Sequence, residues 1–194
     1  MIPLILASAS PRRQEILQYF SLPFETIPHT ANERDVVWDH HPFEYAQKLA
    51  AIKAESLIPN YPDRLILAAD TIVFLEGILL NKPNTRDEAH AMLQLLSGKT
   101  HTVITALTLS CNNHTLTKTQ TTSVLFHELT EDHMTAYLDT NSWTDKAGGY
   151  AIQKIGAMLV NKIEGCYYNV MGLPVGLLSS MLHHYGIDLW HYIH

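Results

Sequence analysis

Apolar and polar positions change period several times along this chain, and each change marks an element. Residues 2 to 7 (IPLILA) form a short continuous apolar run of buried-strand type. Ser8-Ala9-Ser10-Pro11 interrupts it, and Ser10 before Pro11 is a helix-start signal. Ile16, Leu17 and Phe20 supply the apolar stripe of the helix that follows. A polar stretch from His29 to His41 separates a strand near residues 24 to 27 from a second helix at about residues 42 to 57. Residues 64 to 75 (RLILAADTIVFL) are apolar after Arg64 except for Asp70 and Thr71, which predicts a central strand with a polar interruption.

Glu76-Gly77 marks a turn towards Ile78, Leu79 and Leu80 and the Asn81-Lys82-Pro83 loop. Thr85 and Glu88 have capping-box spacing, and Ala89, Met92, Leu93 and Leu96 recur at helical period, so a helix ends near Gly98. Two Thr/Val-rich strands follow, at about 99 to 111 and 115 to 127, joined as a hairpin through Asn112-Asn113. Thr130 caps a helix carrying Met134, Tyr137 and Leu138, and the Gly-rich segment 145 to 176 predicts short strands and loops. Pro174 starts a last helix ending near Tyr185. A parallel-type opening unit, a long hairpin and interspersed helices together predict an α/β protein with a mixed sheet flanked by helices.

Composition narrows the class. The chain has 194 residues, the length of one domain or two closely joined lobes, and we read residues 1–194 as a single domain. Apolar residues make up 46% and charged ones 16%, too hydrophobic for disorder and too mixed for a membrane bundle. By mass, folding reduces an accessible surface of ~32,000 Å² to roughly 9,300 Å², enough to build a core without covalent staples. Cys111 and Cys166 have no neighbouring Cys or His at metal-ligand spacing and read as reduced thiols of an intracellular protein. The apolar start lacks a basic flank, so it is neither a signal peptide nor a span. With 13 basic and 19 acidic side chains, the net charge of −6 argues against a nucleic-acid partner, whose affinity comes from neutralised phosphates. Any anionic ligand must therefore meet a local basic cluster.

Ser8-Ala9-Ser10-Pro11-Arg12-Arg13 can form one, since two hydroxyls and two guanidinium groups follow a strand at a helix start. Alone, the segment serves equally well as a capped helix with two solvated arginines. Asp70 interrupts an apolar strand, where a buried carboxylate costs several kcal/mol unless it is paired, hydrogen-bonded or metal-bound. We favour a functional carboxylate over a structural one. Lys53 falls on the stripe formed by Ala46, Leu49, Ala50 and Leu57, where it can join a positive cluster or snorkel to water; Lys82, before Pro83, is equally open. Several apparent motifs fall away. Gly98-Lys99-Thr100 lacks the earlier glycine of a P-loop and reads as a helix C-cap, and His127-Glu128 lacks the histidine four residues on of a zincin helix. Among the 12 histidines, His40-His41, His183-His184 and the His191/His194 tail show no ligand pattern. No nucleophile motif supports covalent catalysis.

With these pieces assembled, the chain resembles the Maf family of nucleoside triphosphate pyrophosphatases over nearly its whole length. The matching segments are LILASASPRR at 4 to 13, AADTIV at 68 to 73, KP at 82 to 83, LSGKTHTVITAL at 96 to 107, DKAGGYAIQ at 145 to 153 and YYNVMGLPV at 167 to 175. Six ordered matches are far more specific than any one motif. The resemblance implies a curved mixed sheet with a cleft between two lobes, as in Maf/ITPase-like folds. It also implies a divalent cation, Mg²⁺ or Mn²⁺, and a cytoplasmic homodimer. It places Ser8, Ser10, Arg12 and Arg13 on the triphosphate, with Lys53 and Lys82 as further phosphate ligands. Asp70 matches the family's proton acceptor and Glu33 the acidic residue near the metal, with Asp70 also able to hold it. Arg12, Thr71 and Gln153 resemble the class acting on dTTP and UTP, whereas Trp, Gln and Glu at those positions would resemble a methylated-guanine class. Two departures stand out: Ser142-Trp143 replaces a Glu-Pro pair common in the family, and Asn32 stands where some members carry an acid. The implied reaction is hydrolysis of dTTP, UTP or modified pyrimidine nucleotides between the α and β phosphates by water. The alternative is a nucleotide-binding regulator of cell division with little turnover.

Overall fold

The computed structural model describes residues 3–112 and 114–193. Its strands are β1 (Leu4–Leu6), β2 (Phe24–Thr26), β3 (Ile66–Leu75), β4 (Ile78–Leu80), β5 (Thr100–Cys111), β6 (His114–Phe126) and β7 (Val160–Gly165). The helices are α1 (Pro11–Leu17), α2 (Pro42–Glu55), α3 (Arg86–Leu96), α4 (Glu131–Asp139), α5 (Tyr167–Met171) and α6 (Val175–His183). The strands form one seven-stranded sheet in the order β2-β1-β3-β5-β6-β7, with β4 pairing β3 off that path. β1 runs parallel to β2 and β3, while β4 is antiparallel to β3 and β7 to β6, so the sheet is mixed as expected. Of the expected hairpin turn, Asn112 takes a left-handed φ of 49°, and Asn113 lies outside the described residues. Among the described residues no helix is long and apolar enough to cross a membrane.

The chain divides into two compact units, Met1–Asp70 with Thr105–Gln120 and Gly172–His194, and Thr71–Ile104 with Thr121–Met171. In the first unit, α2 lays Ala54, with Leu57 just beyond its end, against Ile5 and Ala7 and against Ile66 and Ala68 of β3. Alanines at 50 and 54, both fully buried, put no bulk between helix and sheet. Lys53 lies on the same buried stripe and is itself only 5% exposed, so it does not snorkel to water. Phe20 and Leu57, both counted on helical stripes in the sequence, fall just past the ends of α1 and α2.

In the second unit, Thr85 caps α3 through an Oγ1 that accepts from the Glu88 N–H at 3.1 Å. The Glu88 carboxylate accepts from the Asn84 N–H rather than from that of Thr85, so only half of the expected box forms. α4 has a full box, with Thr130 and His133 each accepting the other's backbone N–H. The segment 145 to 176 departs from expectation, because besides β7 it holds 3-10 turns at Ala147–Gly149 and Lys154–Leu159 and the short helix α5. Elements of three to six residues are too short to show a period.

One histidine lies in the core. His101 on β5 is 1% exposed, its Nε2 lies 2.7 Å from the Tyr150 hydroxyl, and the Phe126 ring stands edge-on to both aromatic rings. Burial pushes its imidazole down to about 4, so the folded protein holds it neutral while the unfolded chain protonates it from an ordinary 6.5. Its contribution to stability is therefore complete above pH 6.5 and is lost as the pH falls towards 4. The loss amounts to roughly 3 kcal/mol over that window. Urea unfolding at pH 7 and 4.5 should show a clear drop in stability for the wild type and a drop smaller by roughly 2 kcal/mol for His101→Gln. Equal drops would mean that this imidazole is not what acid attacks.

Candidate active site

The first unit holds most of the residues singled out by sequence. The loop after β1 turns back on itself: the buried Ser8 Oγ accepts from the Ser10 N–H at 3.2 Å and from Arg13 Nη1 at 3.2 Å. Arg13 also donates from Nε to the Gly172 carbonyl at 2.9 Å, so its guanidinium is held at both ends. Burial lowers its pKa, opposed by the nearby carboxylates of Asp70 and Glu33 and reinforced by Arg12. The Ser10 hydroxyl makes no capping bond to α1, so the expected N-cap is a backbone conformation only. Ser8 and Arg13 thus form a rigid pair, with Ser10 and the half-buried Arg12 beside them.

A chain of charge lies on the α2 side of β3. Lys53 Nζ sits 2.5 Å from Asp70 Oδ1 and 3.2 Å from Glu33 Oε1, and Glu33 is also 3.6 Å from His29 Nε2. Asp70 is 7% exposed, in a strand that β1 pairs at Ile66 and Leu67, and it lies past the carboxyl end of that pairing. In open sheets with parallel strands, that end is where ligands bind. Glu33 comes from a 3-10 turn, Glu33–Asp35, that the sequence pattern did not reveal. Asn32 caps this turn, accepting from the Arg34 N–H and donating to Asp35 Oδ1 at 2.7 Å. The residue replacing the acid of some family members thus serves its own turn.

His29 was not foreseen, because it stood in a polar stretch without periodicity. Burial, with Lys53 and Arg13 nearby, lowers its pKa against the pull of Glu33 and Asp70, which favours the neutral imidazole. Its Nδ1 is buried without a hydrogen-bond partner among the described residues.

Asp70 and Glu33 bring two carboxylates to one ammonium, that of Lys53. Among the described residues no group of three or more His, Cys, Asp or Glu could hold a metal. Two carboxylates suit Mg²⁺, which completes its shell with water and phosphate oxygens rather than with an all-protein cage. The residues present therefore fit a divalent ion that arrives with a phosphate ligand.

Thr71, Lys82 and Gln153 belong to the second unit. Lys82 is exposed and makes no ion pair among the described residues, and the loop before it is fixed because the Gly148 N–H donates to the Asn81 carbonyl at 3.1 Å. Gly148 has φ 72°, and a Cβ there would stand 3.1 Å from Val73, which accounts for glycine in this turn. Gln153 is half-buried at the start of the Lys154–Leu159 turn, and its amide makes no capping bond. Trp143, in the place of the Pro, is buried and donates from Nε1 to the Leu138 carbonyl at 3.1 Å, while Ser142, in the place of the Glu, donates its backbone N–H to Thr140 Oγ1 at 3.2 Å.

A family model described as Maf-like protein matches residues 3–185. The chain is 44% identical over 191 residues to the dTTP/UTP pyrophosphatase of Chlamydia caviae, covering 98% of this chain and 97% of that protein. It is 45% identical over 183 residues to the dTTP/UTP pyrophosphatase of Pyrococcus furiosus, covering 94% and 95%. Among solved structures it is similar to the Staphylococcus aureus Ham1 protein, with a TM-score of 0.52, 12% identity and coverage of 94% and 98%. At that identity the likeness is one of fold.

Proposed function

The chain belongs to the Maf family, and from that premise we propose that it is a nucleoside triphosphate pyrophosphatase hydrolysing dTTP and UTP to the monophosphate and pyrophosphate. The observation that carries the reading is the Lys53 ammonium held between Asp70 and Glu33 in the unit that also fixes Arg13 on Ser8. Ser8, Ser10, Arg12 and Arg13 bind the phosphates, with Lys53 and Lys82 adding positive charge as the leaving pyrophosphate gains negative charge. Asp70 accepts a proton from the attacking water or orients it. Glu33 and Asp70 would hold a divalent cation, Mg²⁺ or Mn²⁺, and the ion would supply charge neutralisation to the reaction. Cytoplasmic location and a homodimer belong to the same reading and rest on family resemblance. A regulator with little turnover gains no support, since the relatives carry the names of enzymes.

Base choice falls to Arg12, Thr71 and Gln153. An amide presents both donor and acceptor, which suits the alternating carbonyl and N–H edge of uracil or thymine; cytosine reverses part of that edge. A mismatched buried group loses roughly 1 to 3 kcal/mol, about one to two decades in selectivity. The test is a panel of nucleoside triphosphates, including modified pyrimidines, with Mg²⁺ or Mn²⁺, scored for pyrophosphate. UTP and dTTP should lead CTP and unmodified purine triphosphates in kcat/KM by at least tenfold or so. Gln153→Glu should erode that lead, because a carboxylate cannot donate. Orthophosphate and diphosphate as primary products would overturn the reaction, and unchanged selectivity in Gln153→Glu would overturn the base assignment.

A further inference from the structure

The segment that leads to Gln153 is tethered by two tyrosine hydroxyls, and a phenylalanine could fill the space of either ring. Tyr137 on α4 is 4% exposed, and its hydroxyl accepts from the Ala151 N–H at 3.0 Å. Tyr150, 5% exposed, places its hydroxyl 2.7 Å from His101 Nε2 on β5. These bonds fix two successive residues, one through the backbone and one through the side chain, to two different elements. The Gly156 N–H then donates to the Gln153 carbonyl at 3.1 Å, and a Cβ at Gly156 would lie 1.7 Å from the Ala151 carbonyl oxygen. The turn is closed so tightly that only glycine fits, which transmits any shift of Ala151 to Gln153.

We propose that the hydroxyls of Tyr137 and Tyr150 are positioning groups for substrate choice: they hold Ala151 and its neighbour so that the Gln153 amide stands where it reads the base. The inference rests on the reading of Gln153 given above. In the sequence, Tyr137 is indistinguishable from the apolar stripe of Met134 and Leu138, since nothing there shows that its hydroxyl faces a backbone N–H. Each hydroxyl acts through Gln153 and touches no reacting atom. An amide displaced by a fraction of an ångström keeps its chemistry and loses its alignment, so the loss appears in selectivity before rate.

The experiment measures kcat and KM for UTP, CTP and GTP with wild type, Tyr137→Phe, Tyr150→Phe, Gln153→Ala and each Phe variant combined with Gln153→Ala. Removing one such hydrogen bond should lower the preference for UTP over CTP about three- to tenfold, through a higher KM for UTP, with kcat within about twofold. In the Gln153→Ala background the same substitutions should leave the preference unchanged, because the group they position is gone. If Gln153→Ala lowers the preference and neither Phe variant does, the tethers do not position the amide, although Gln153 still reads the base. Additive effects in the combined variants would likewise overturn the positioning role. If Gln153→Ala itself leaves the preference intact, the base reading fails and this inference falls with it. Should one Phe variant not fold, the other carries the test, since the same selectivity loss and the same coupling to Gln153 are required of each.

Discussion

Asp70→Asn is expected to lower turnover of UTP by about 10²-fold or more while leaving nucleotide binding measurable. Asparagine keeps the shape of the side chain in a strand position that is 7% exposed, so packing around β3 is retained. It can neither take a proton from water nor offer an anionic oxygen to a cation. Lys53 keeps its contact with Glu33 at 3.2 Å, so the ammonium is not left without a counter-charge. Pyrophosphate release at saturating UTP and Mg²⁺ gives the rate, and calorimetry with a non-hydrolysable UTP analogue gives binding. A metal requirement raised in proportion to the lost rate would mark Asp70 as a ligand, and an unchanged requirement would mark it as the proton acceptor. A variant with most of its rate would reduce Asp70 to the structural partner of Lys53.

The residues around Asp70 show how far a sequence reading reaches. The carboxylate itself was legible, because an acid inside RLILAADTIVFL has to be compensated. Lys53 was legible as an anomaly on an apolar stripe, but its role is set by the packing of Ala54 and Leu57 against Ile5, Ile66 and Ala68, which brings that stripe onto β1 and β3. The resemblance assigned Lys53 to phosphate, and here it faces two carboxylates, so a phosphate ligand would compete with Asp70 and Glu33 for it. Glu33, His29 and the turn that carries Glu33 were not legible from periodicity, since a three-residue 3-10 turn in a polar stretch has none. The long elements β3, α3, β5 and β6 were placed to within about two residues, where hydrophobic pattern and caps agree. The segment 145 to 176 holds two 3-10 turns and a short helix that periodicity does not show. Its conformation is set by glycine φ values and by bonds to distant residues, such as Asn81 with Gly148 and Tyr137 with Ala151.

Lys53→Met is expected to destabilise the protein by about 3 kcal/mol, a larger effect than a lysine-to-methionine change at a surface would have. Methionine matches the stem in length and apolar character, so the stripe on α2 stays filled and the change isolates the charge. Asp70 then remains buried without the ammonium at 2.5 Å, with the Arg13 guanidinium nearby as its remaining cation, and truncating one side of a buried pair in this way costs stability. Glu33, nearly half exposed, is solvated by water and adds little. The double variant Lys53→Met/Asp70→Asn removes both charges and should regain most of the lost stability. The coupling between the two positions should exceed about 1 kcal/mol. Urea midpoints at pH 7 for the four proteins of the cycle give that coupling directly. Turnover follows a different pattern, because the double variant should be stable and still inactive. If Lys53→Met leaves the urea midpoint unchanged, or if the double variant is no more stable than Lys53→Met alone, the ammonium does not compensate Asp70, and the pairing contributes nothing to holding that carboxylate in the sheet.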